Sequence, residues 1–286
     1  MKTVHERALT ALLWAMLFFL TACSKDKSPG PEPEPAPDET ASKPRHLIRE
    51  IDWESFEYKA AVHYRPDSSI DHIRYSGSRG QTELKTYEYE GKTLSGINVA
   101  GSISRKFYEF DEKGRLTAMR LVKKNAGPYD NAQKLVFLYD DHGIVQKLER
   151  YQITPAGTRM DIVHHYEYDK AGELTRVRTE QSDGYQTITS LKGFSPGFDH
   201  DPWLFIEDFG NPDYAIYNLP VLRAMKGRLP LQITYEIPDK NGAFKTERIT
   251  TQQFQVEGKK IQKLKTTVRY PEFPQAGDES EVSFKY

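Results

Sequence analysis

Aromatic and polar residues alternate along much of this chain with the two-residue period of a β-strand. Alternate side chains of a strand point to the same face, so each aromatic pair marks one face of one strand. Four such pairs are Tyr87 and Tyr89, Tyr108 and Phe110, Phe137 and Tyr139, and Tyr166 and Tyr168. The pattern predicts a mainly β protein built from successive strands.

A turn signal follows three of these pairs, and its copies share one plan. An aromatic residue is followed by Asp, then by Gly four positions after the aromatic residue, and then by apolar residues at positions six and nine. The copies are Phe110 to Leu116 with Met119, Tyr139 to Val145 with Leu148, and Tyr168 to Leu174 with Val177. Because Asp caps a tight turn and Gly supplies the positive φ of a short reversal, each copy predicts a β-hairpin. Gly114, Gly143 and Gly172 are the predicted positive-φ positions.

Further copies depart from the plan. The stretch from Tyr64 to Ile70 keeps the apolar spacing but has Ser68 in place of the glycine. The stretches from Tyr89 to Leu94 and from Val256 to Ile261 shorten the turn by one residue. After each turn, a three-residue step between apolar residues would change faces in a regular strand. We therefore predict a β-bulge there that restores the same face.

These turns resemble the YD-like (Rhs-like) repeats of secreted bacterial proteins, and more closely those of a family of Bacteroidota-type outer-membrane lipoproteins of unknown function. The resemblance covers residues 47–180 and 231–286 and depends on the short motif described above. It implies a mainly β protein of the cell envelope, and the family supplies no catalytic residues.

Successive hairpins without crossover helices predict an antiparallel meander. A sheet that long must curl, split into two layers or close, because open twisted sheets rarely exceed about ten strands. We predict a curved antiparallel meander or half-barrel, as a single domain, for residues 45–286. Residues 195–228 interrupt the repeat with prolines and large apolar residues, which predicts one or two short helices near 202–226 that cover the concave face. Asn211-Pro212-Asp213 is the expected helix start and Gly227 the expected stop.

The amino-terminal residues predict a targeting segment. Lys2 and Arg7 flank the start of an apolar run from Ala8 to Leu20, which has the length of a signal peptide and is short for a transmembrane helix. Leu20-Thr21-Ala22-Cys23 then reads as a lipobox and resembles that of bacterial lipoproteins. The resemblance implies removal of residues 1–22 and lipidation of Cys23. An uncleaved signal anchor and a simple secretory signal are the alternatives.

Residues 23–44 predict a tether. They contain Pro-Gly-Pro-Glu-Pro-Glu-Pro-Ala-Pro and no large apolar residue, so they cannot bury enough surface to fold. An extended segment of this kind holds a domain up to about 60 Å from a bilayer. Ser24, which follows the cysteine, resembles the residue found in lipoproteins that are sent to the outer membrane. We therefore expect a lipid-anchored outer-membrane protein, on the periplasmic or the surface-exposed face.

Composition restricts the chemistry. The one cysteine is assigned to lipid, so no thiol is left for a disulfide, a zinc cluster or a nucleophile. A formal net charge of -1 removes the usual electrostatic case for a nucleic-acid partner. The sequence has no Gly-x-Ser-x-Gly, His-Glu-x-x-His, phosphate-loop or dinucleotide motif. We therefore predict a protein that is not an enzyme and has no catalytic residue, no metal and no cofactor.

Two groups of polar residues have the atoms to bind a metal, but we assign them other roles. The first group is the acidic and histidine side chains of the insertion: Asp199, His200, Asp201, Glu207, Asp208 and Asp213. It lacks the glycine of a calcium loop's sharp turn, so loop solvation and helix capping are expected. The second group is His164 and His165, which point to opposite faces of a predicted strand. One packed and one solvated histidine are therefore expected.

Aromatic residues carry the functional prediction. The chain has 17 Tyr, 14 Phe and 3 Trp, and such rings stack on sugars or line a pocket for an amphiphile. The repeat aromatics recur in step with the turns and are expected to pack across strands. Trp203, Tyr214 and Tyr217 lie outside the repeat and are the predicted ligand contacts.

The sequence thus predicts a non-catalytic binding or scaffolding module that is attached to a membrane through its lipid anchor. Its expected ligand is a glycan, a lipid or an envelope protein. A carrier of an apolar ligand, in a half-open barrel lined by the repeat aromatics, is the alternative, and a hydrolase is the third hypothesis.

Overall fold

The computed structural model describes residues 46–77, 80, 82–102, 104–123, 132–208 and 215–286, without the side chains of residues 207 and 208. The predictions for the signal peptide 1–22, the lipidated Cys23 and the tether 23–44 concern residues outside these ranges. The predicted helix start at 211–213 and the predicted contact Tyr214 also lie outside them.

The described chain forms a closed antiparallel barrel of sixteen strands in which sequence neighbours pair all round the ring. The strands are Glu50–Trp53 (β1), Tyr58–Tyr64 (β2), Ile70–Gly77 (β3), Thr82–Glu90 (β4), Thr93–Val99 (β5), Ser104–Phe110 (β6), Leu116–Lys123 (β7), Ala132–Tyr139 (β8), Val145–Thr154 (β9), Gly157–Tyr168 (β10), Leu174–Gln181 (β11), Gln186–Phe194 (β12), Pro230–Pro238 (β13), Phe244–Glu257 (β14), Lys260–Arg269 (β15) and Asp278–Lys285 (β16).

The prediction of a mainly β, antiparallel protein with two short helices is confirmed, but the predicted curved meander or half-barrel is wrong. The first and last strands pair, with Ile51 opposite Phe284, and this pairing closes the ring. The N–H of Arg49 extends the seam by donating to the Lys285 carbonyl at 2.7 Å. Closure pairs the backbone N–H and C=O groups of both edge strands. In an open sheet these groups would stay unpaired and could bind a strand of another chain. The half-open barrel of the carrier hypothesis is therefore replaced by a closed one.

The repeat turns have the predicted chemistry. Asp140 Oδ1 accepts hydrogen bonds from the N–H groups of His142 and Ile144 at 3.0 and 2.8 Å. The N–H of Gly143 donates to the Asp140 carbonyl at 3.0 Å. The three repeat glycines have φ angles of 70°, 79° and 77°, which confirms their predicted positive-φ role: Gly114, Gly143 and Gly172.

Two turns extend this chemistry beyond the regular copies. Ser68 has a φ of 72° and therefore occupies the glycine position with a side chain. Asp239 Oδ1 accepts from the N–H groups of Asn241 and Ala243 at 2.8 and 3.0 Å, ahead of Gly242 at a φ of 83°. This last turn does not match the repeat pattern in the sequence, because Pro238 stands where the repeat has an aromatic residue.

The predicted β-bulges are confirmed. Phe110 pairs with Leu116 and Glu109 pairs with Ala118, so Thr117 is an extra residue between them. The hydroxyl of Thr117 donates to the Glu109 carbonyl at 3.0 Å, which satisfies an acceptor that the bulge displaces. The same register shift occurs beside five other pre-turn residues: Tyr64, Tyr89, Tyr139, Tyr168 and Val256.

The repeat tyrosines hold each hairpin to its neighbour, in agreement with the expected packing role. The hydroxyl of Tyr139 donates to the Leu116 carbonyl at 2.7 Å, and that of Tyr168 donates to the Val145 carbonyl at 2.8 Å. Three further tyrosines make the equivalent bond: Tyr64, Tyr89 and Tyr286. The ring thus packs on the core while its hydroxyl satisfies a backbone carbonyl.

The two ends of the barrel differ in what they carry. One end of the barrel, which we call the plugged end, holds the repeat turns and residues 195–229, which we call the plug segment. It also holds the rings of His46 and Tyr286, whose centroids are 6.3 Å apart. The other end, which we call the polar end, holds the remaining connections, such as β1–β2, β9–β10 and β13–β14.

The plug segment lies inside the barrel. It contains two short helices, Pro202–Asp208 (α1) and Leu219–Ala224 (α2). Its contacts reach strands on opposite sides of the ring: Trp203 to Tyr108 of β6, Asn218 to Tyr166 of β10, Tyr217 to Gln252 of β14, and Phe205 to Phe284 of β16. Leu204, Phe205 and Ile216 have no exposed surface, so the segment and the inner face of the strands form one core.

Capping residues fix the two helices. Asp201 Oδ1 accepts from the N–H of Trp203 at 2.9 Å, and Asn218 Oδ1 accepts from the N–H of Val221 at 3.0 Å. Gly227 has a φ of 69° and follows the second helix, as predicted. Within the described ranges, no helix is long and apolar enough to cross a membrane.

Charged residues cover the outer face of the barrel. Cross-strand ion pairs follow one another around it: Asp52–Lys59 at 2.6 Å, Glu109–Arg120 at 2.7 Å, Glu167–Arg176 at 3.5 Å and Lys265–Glu279 at 2.6 Å. Exposed pairs of this kind contribute little to stability, because solvent screens them. Near the plugged end, the strands therefore direct apolar residues inward, into the core, while these charged pairs lie on the outer face.

Candidate functional site

The predicted ligand contacts that the structure describes lie in the plug segment. The Trp203 ring is half-buried and packs edge-on against Tyr108, with centroids 4.7 Å apart. Tyr217 is 6% exposed, and its hydroxyl accepts a hydrogen bond from Gln252 Nε2 at 3.2 Å. These two residues therefore join the plug segment to the barrel wall.

A shallow pocket of about 220 Å³ opens beside α1 and α2 at the plugged end, lined by Phe198, Asp199, His200, Pro202, Leu222, Arg223 and Gly227. His200 packs on Phe205 at 4.8 Å, and burial lowers the pKa of its imidazole. Burial also raises the pKa of the neighbouring Asp201 to about 6, although the N–H groups of Trp203 and Leu204 oppose the shift.

The acidic group of the insertion does not form a metal centre in the part that the structure describes. No set of three or more metal-ligating side chains is gathered there or elsewhere in the described ranges. Asp201 caps α1, which confirms the helix-capping interpretation for this residue. Asp199 donates its N–H to the Lys259 carbonyl at 2.8 Å and so fixes the plug segment to the β14–β15 turn.

A second concave region lies toward the polar end, where inward side chains change from apolar to polar. We call this part of the interior the polar lumen. On β9, Leu148 and Arg150 share the inward face, but Leu148 is fully buried whereas the Arg150 side chain is 30% exposed. Arg150 lies opposite Leu135 and Ile162, so solvent reaches it from inside the barrel.

A hydrogen-bonded network forms one wall of the polar lumen. Arg150 donates from Nε and Nη2 to the two oxygens of Asp161 at 3.0 and 2.8 Å, and Gln152 Nε2 donates to the same carboxylate at 3.0 Å. Burial opposes ionisation of Asp161, but the bonds from Arg150 and Gln152 outweigh it and lower the pKa of the carboxyl. The bidentate geometry fixes both side chains as planar donor and acceptor groups.

His164 lies next to this network on the same inward face. Its Nδ1 is 2.8 Å from Thr179 Oγ1, and burial, with a smaller effect of Arg150, lowers its pKa to about 4. His165 faces outward, with Nε2 3.7 Å from Glu180. The prediction of one packed and one solvated histidine is confirmed.

An aromatic cluster lies on the opposite wall. Tyr58 and Tyr75 are stacked at 5.6 Å with an interplanar angle of 15°, and Trp53 lies 5.6 Å from Tyr58. Tyr75 is buried, whereas Trp53 and Tyr58 are half-buried. Strand order places β1–β3 across the ring from β9 and β10, so the aromatic cluster and the Arg150 network face each other.

Three lysines lie on the wall between them. Strand register places Lys85 of β4 opposite Ile73 and Val99, Lys106 of β6 opposite Ile97, and Lys123 of β7 opposite Ser104, all on the inward face. The ammonium of Lys85 lies 4.8 Å from the centroid of the Tyr75 ring. We call these three residues the lysine wall.

Exposed apolar side chains gather around the rim of the polar end. Phe56 and Phe273 are 61% and 65% exposed and lie in neighbouring connections. The series continues round the ring with Phe244 at the start of β14, Tyr185 in the β11–β12 connection and Met160 near the start of β10. Five of the six large hydrophobic residues exposed in the described ranges therefore border this mouth, which is typical of an interaction surface.

Sequence reasoning missed the polar lumen. Arg150-Tyr151-Gln152 is polar or amphipathic at every position, so alternation does not identify which residues face inward. On β9 the signal lies in counting inward positions from the repeat turn: Val145 and Leu148 are apolar, and Arg150 and Gln152 beyond them are polar.

One comparison with a solved structure, the first of those that follow, supports the barrel fold. A porin-like protein from Bacteroides vulgatus ATCC 8482 is 14% identical, and the alignment covers 84% of this chain and 99% of that one with a TM-score of 0.54. A porin-like protein from Bacteroides uniformis ATCC 8492 is 12% identical over 83% of this chain and 96% of that one, with a TM-score of 0.49.

A chain of the TcdB2-TccC3-TEV structure is 10% identical over 82% of this chain but only 14% of its own length, with a TM-score of 0.35. No protein-family model matches the sequence, and no curated protein matches it. At these identities the likeness to the first structure is one of fold.

Proposed function

We propose that this chain is a non-catalytic glycan-binding protein of the outer membrane, and that the glycan enters the barrel at the polar end. The observation that carries the proposal is the pairing of two facing walls in the polar lumen. Half-buried aromatic rings of Trp53 and Tyr58 offer flat apolar faces, and the network of Arg150, Asp161 and Gln152 offers fixed donors and acceptors. Sugars have apolar ring faces and equatorial hydroxyl groups, which these two surfaces complement.

The charge state of the lumen favours binding over hydrolysis. A glycosidase needs a carboxylic acid whose pKa is raised so that it can donate a proton. The pKa of Asp161 is instead lowered, because Arg150 and Gln152 hold its carboxylate in the ionised form. His164 is neutral at pH 7, since burial lowers its pKa to about 4. Both groups are therefore suited to hydrogen bonding with a ligand.

The proposed membrane attachment is a lipid on Cys23, and it is compatible with access to the lumen. The described chain begins at His46 beside Tyr286, at the plugged end. His46, the first described residue, therefore lies at the end away from the polar lumen. The charged outer face of the barrel is consistent with anchoring by acyl chains rather than by the strands.

Glycan binding can be tested with the full chain in detergent on an immobilised glycan panel. We expect Trp53→Ala and Gln152→Ala each to weaken binding about tenfold, as loss of a stacking face or a hydrogen bond does. Trp203→Ala is the matched control, because it removes the same ring from the plug segment, where it should lower the melting temperature without changing binding. Loss of binding in Trp203→Ala alone would locate the site in the plug segment and contradict the proposal.

The lipid anchor has its own test. Cys23→Ser should abolish incorporation of labelled palmitate and release the protein from the membrane fraction, because anchoring resides in the acyl chains. The melting temperature of the barrel should not change. A wild-type protein that takes up no label would refute the anchor while leaving the glycan site untouched.

A further inference from the structure

We infer that the polar end docks on a lipid bilayer, and that the glycan entering the polar lumen is the headgroup of a glycolipid in that bilayer. This inference rests on the proposed function and adds the chemical class of the ligand. The docking surface is the series of exposed apolar side chains around the mouth, which we call the apolar rim: Phe56, Met160, Tyr185, Phe244 and Phe273. The lumen binds the sugar, and the rim contacts the lipid around it.

The first support is the regular placement of the apolar rim. Five connections at the polar end are fully described: β1–β2, β9–β10, β11–β12, β13–β14 and β15–β16. Each has one exposed large apolar side chain within four residues of it. Near the described turns of the plugged end, the exposed large apolar residue is Leu138, on the outward face of β8 opposite Lys147. One apolar side chain per connection, at one end of a barrel, fits a planar surface that lies across the mouth.

The second support is that charged residues separate the members of the apolar rim. Phe273 adjoins Glu272 and Phe244 adjoins Lys245, and these two charged side chains pair at 2.7 Å. Met160 lies between an arginine and an aspartate. The core of a protein–protein interface is depleted in charge, whereas at a bilayer single apolar side chains insert while their charged neighbours stay in the hydrated headgroup layer. The arrangement therefore favours a bilayer over a protein partner.

The third support is the balance of charge beside the apolar rim. Across residues 54–57, 155–160, 182–185, 239–245 and 270–277, acidic side chains outnumber basic ones. Attraction to anionic lipids requires a cluster of basic residues. The rim therefore binds lipid through apolar contact, and we expect a zwitterionic bilayer to be sufficient.

The fourth support is the position of Phe56 beside the aromatic wall of the polar lumen. Phe56 lies in the connection between β1 and β2, the strands that carry Trp53 and Tyr58. Trp53 directly precedes the short turn Glu54–Phe56. A sugar stacked on Trp53 therefore lies close to the residues that contact lipid. A soluble oligosaccharide uses the lumen alone, whereas a glycolipid uses the lumen and the rim together.

The predicted lipid anchor permits this orientation of the barrel. An extended segment with the length of residues 23–44 reaches about 60 Å. A ten-residue strand such as β9 spans about 33 Å. An anchor on Cys23 and the apolar rim can therefore contact the same bilayer.

The test measures whether the apolar rim enters a bilayer. Full-length Phe56→Cys and Phe273→Cys are labelled with an environment-sensitive dye, and the unsubstituted chain, whose sole cysteine is Cys23, gives the background. The vesicles are phosphatidylcholine, with or without a neoglycolipid made from the tightest oligosaccharide of the glycan panel and phosphatidylethanolamine. Both dyes should shift to blue emission and be quenched by brominated lipid, more strongly when the neoglycolipid is present. Leu138→Cys is the matched control, because its side chain is 40% exposed on the outer face, and its dye should do neither.

A second set of variants tests whether the members of the apolar rim act together. Phe56→Ser combined with Phe273→Ser should abolish the quenching of a dye at Phe244→Cys. It should leave the affinity for the soluble oligosaccharide unchanged, because both side chains lie outside the lumen. Leu138→Ser should affect neither measurement. Addition of phosphatidylglycerol or of salt should leave the quenching unchanged, since no basic cluster contributes to docking.

The outcomes separate the two proposals. Dyes at Phe56 and Phe273 that stay as exposed as the dye at Leu138, with the soluble oligosaccharide still bound, would overturn the inference and preserve the proposed function. A blue shift without quenching by brominated lipid would indicate contact with another copy of the chain, and quenching that the neoglycolipid does not increase would exclude a glycolipid ligand. Either result would also overturn the inference. Failure of the whole soluble panel to bind would overturn the proposed function itself.

Discussion

The plugged end and the polar end are built from the same sixteen strands, yet the side chains that face the interior are apolar at the first end and more polar at the second. At the plugged end, the inward residues and the plug segment form a continuous apolar core, in which Leu148 and Phe205 have no exposed surface. Two residues farther along β9, Arg150 is 30% exposed and paired with Asp161. One strand thus contributes to stability at one end and to recognition at the other, so changes at the two ends should have separable effects.

The largest expected effect concerns the plug segment. Phe205→Ala should lower the free energy of unfolding by about 3 to 5 kcal/mol, because it removes a fully buried ring that packs on Phe198 and Phe284. Gln133→Ala, an inward substitution near the polar end, should cost less than about 1 kcal/mol. Urea denaturation of both variants measures the contrast. Equal losses would mean that the two interiors are not energetically distinct.

The next effect is a pair of opposite pH dependences. The pKa of Asp201 in the plug segment is raised to about 6, so its contribution to stability is full below the unfolded value and is lost as pH rises through 6. The pKa of His164 is lowered to about 4, so the unfolded chain binds more protons between pH 4 and 6.5. Stability from His164 is therefore present above pH 6.5 and is lost as pH falls toward 4.

Single substitutions should reveal each dependence. Asp201→Asn retains the helix cap and should leave a protein that loses about 1 to 3 kcal/mol of stability between pH 6.5 and 4. The His164→Gln protein should instead lose stability as pH rises from 4 to 6. Denaturation curves at four pH values test both slopes, and a wild-type slope in either variant would contradict the corresponding assignment.

A smaller effect compares the same turn chemistry at both ends. Gly143 at the plugged end and Gly242 at the polar end have φ angles of 79° and 83°. Substitution by Val should destabilise each turn by about 1 to 2 kcal/mol through left-handed strain. Gly197→Val is the control, since Gly197 has no positive φ and nothing lies within 4 Å of an added Cβ. A milder loss at Gly242 would indicate that the polar end relaxes more easily.

The smallest effect is a gain. Ser68 has a φ of 72° at a position where the other repeats have glycine. Ser68→Gly removes left-handed strain of about 1 kcal/mol or slightly more. It also increases the conformational entropy of the unfolded chain, and this effect offsets about half of the gain in stability. We expect a net stabilisation of about 0.5 kcal/mol, measured by thermal denaturation. A loss of stability would indicate that the hydrogen bonds from Ser69 to Asp67 in this turn depend on the side chain of Ser68.

Local chemistry was predictable from the sequence because its causes are local. Asp140 and Gly143 fix their own turn within four residues, and the bulge at Thr117 follows from the spacing of Leu116 and Met119. Closure was not predictable, because the pairing of β1 with β16 joins residues at opposite ends of the domain and carries no turn signal.

The candidate site was harder to predict for a different reason. Composition drew attention to the aromatic residues outside the repeat, and the structure shows that Trp203 and Tyr217 contact the barrel wall, while their role as ligand contacts stays a prediction. Whether Lys106 or Arg150 faces the interior depends on register counted from the nearest turn and bulge. An error of one residue in that count would place either side chain on the outer face.

The seam between β1 and β16 also determines the order of assembly. Fifteen of the sixteen strand pairs join sequence neighbours, so they are low in contact order and form quickly, whereas Glu50 and Lys285 are 235 residues apart. The entropic cost of joining such distant residues is smallest after the intervening hairpins have already shortened the path between them. We therefore expect the ring to close last. Until residues 278–285 have emerged, a growing chain has two unpaired sheet edges, and its final eight-residue strand ends its exposure to edge-to-edge aggregation.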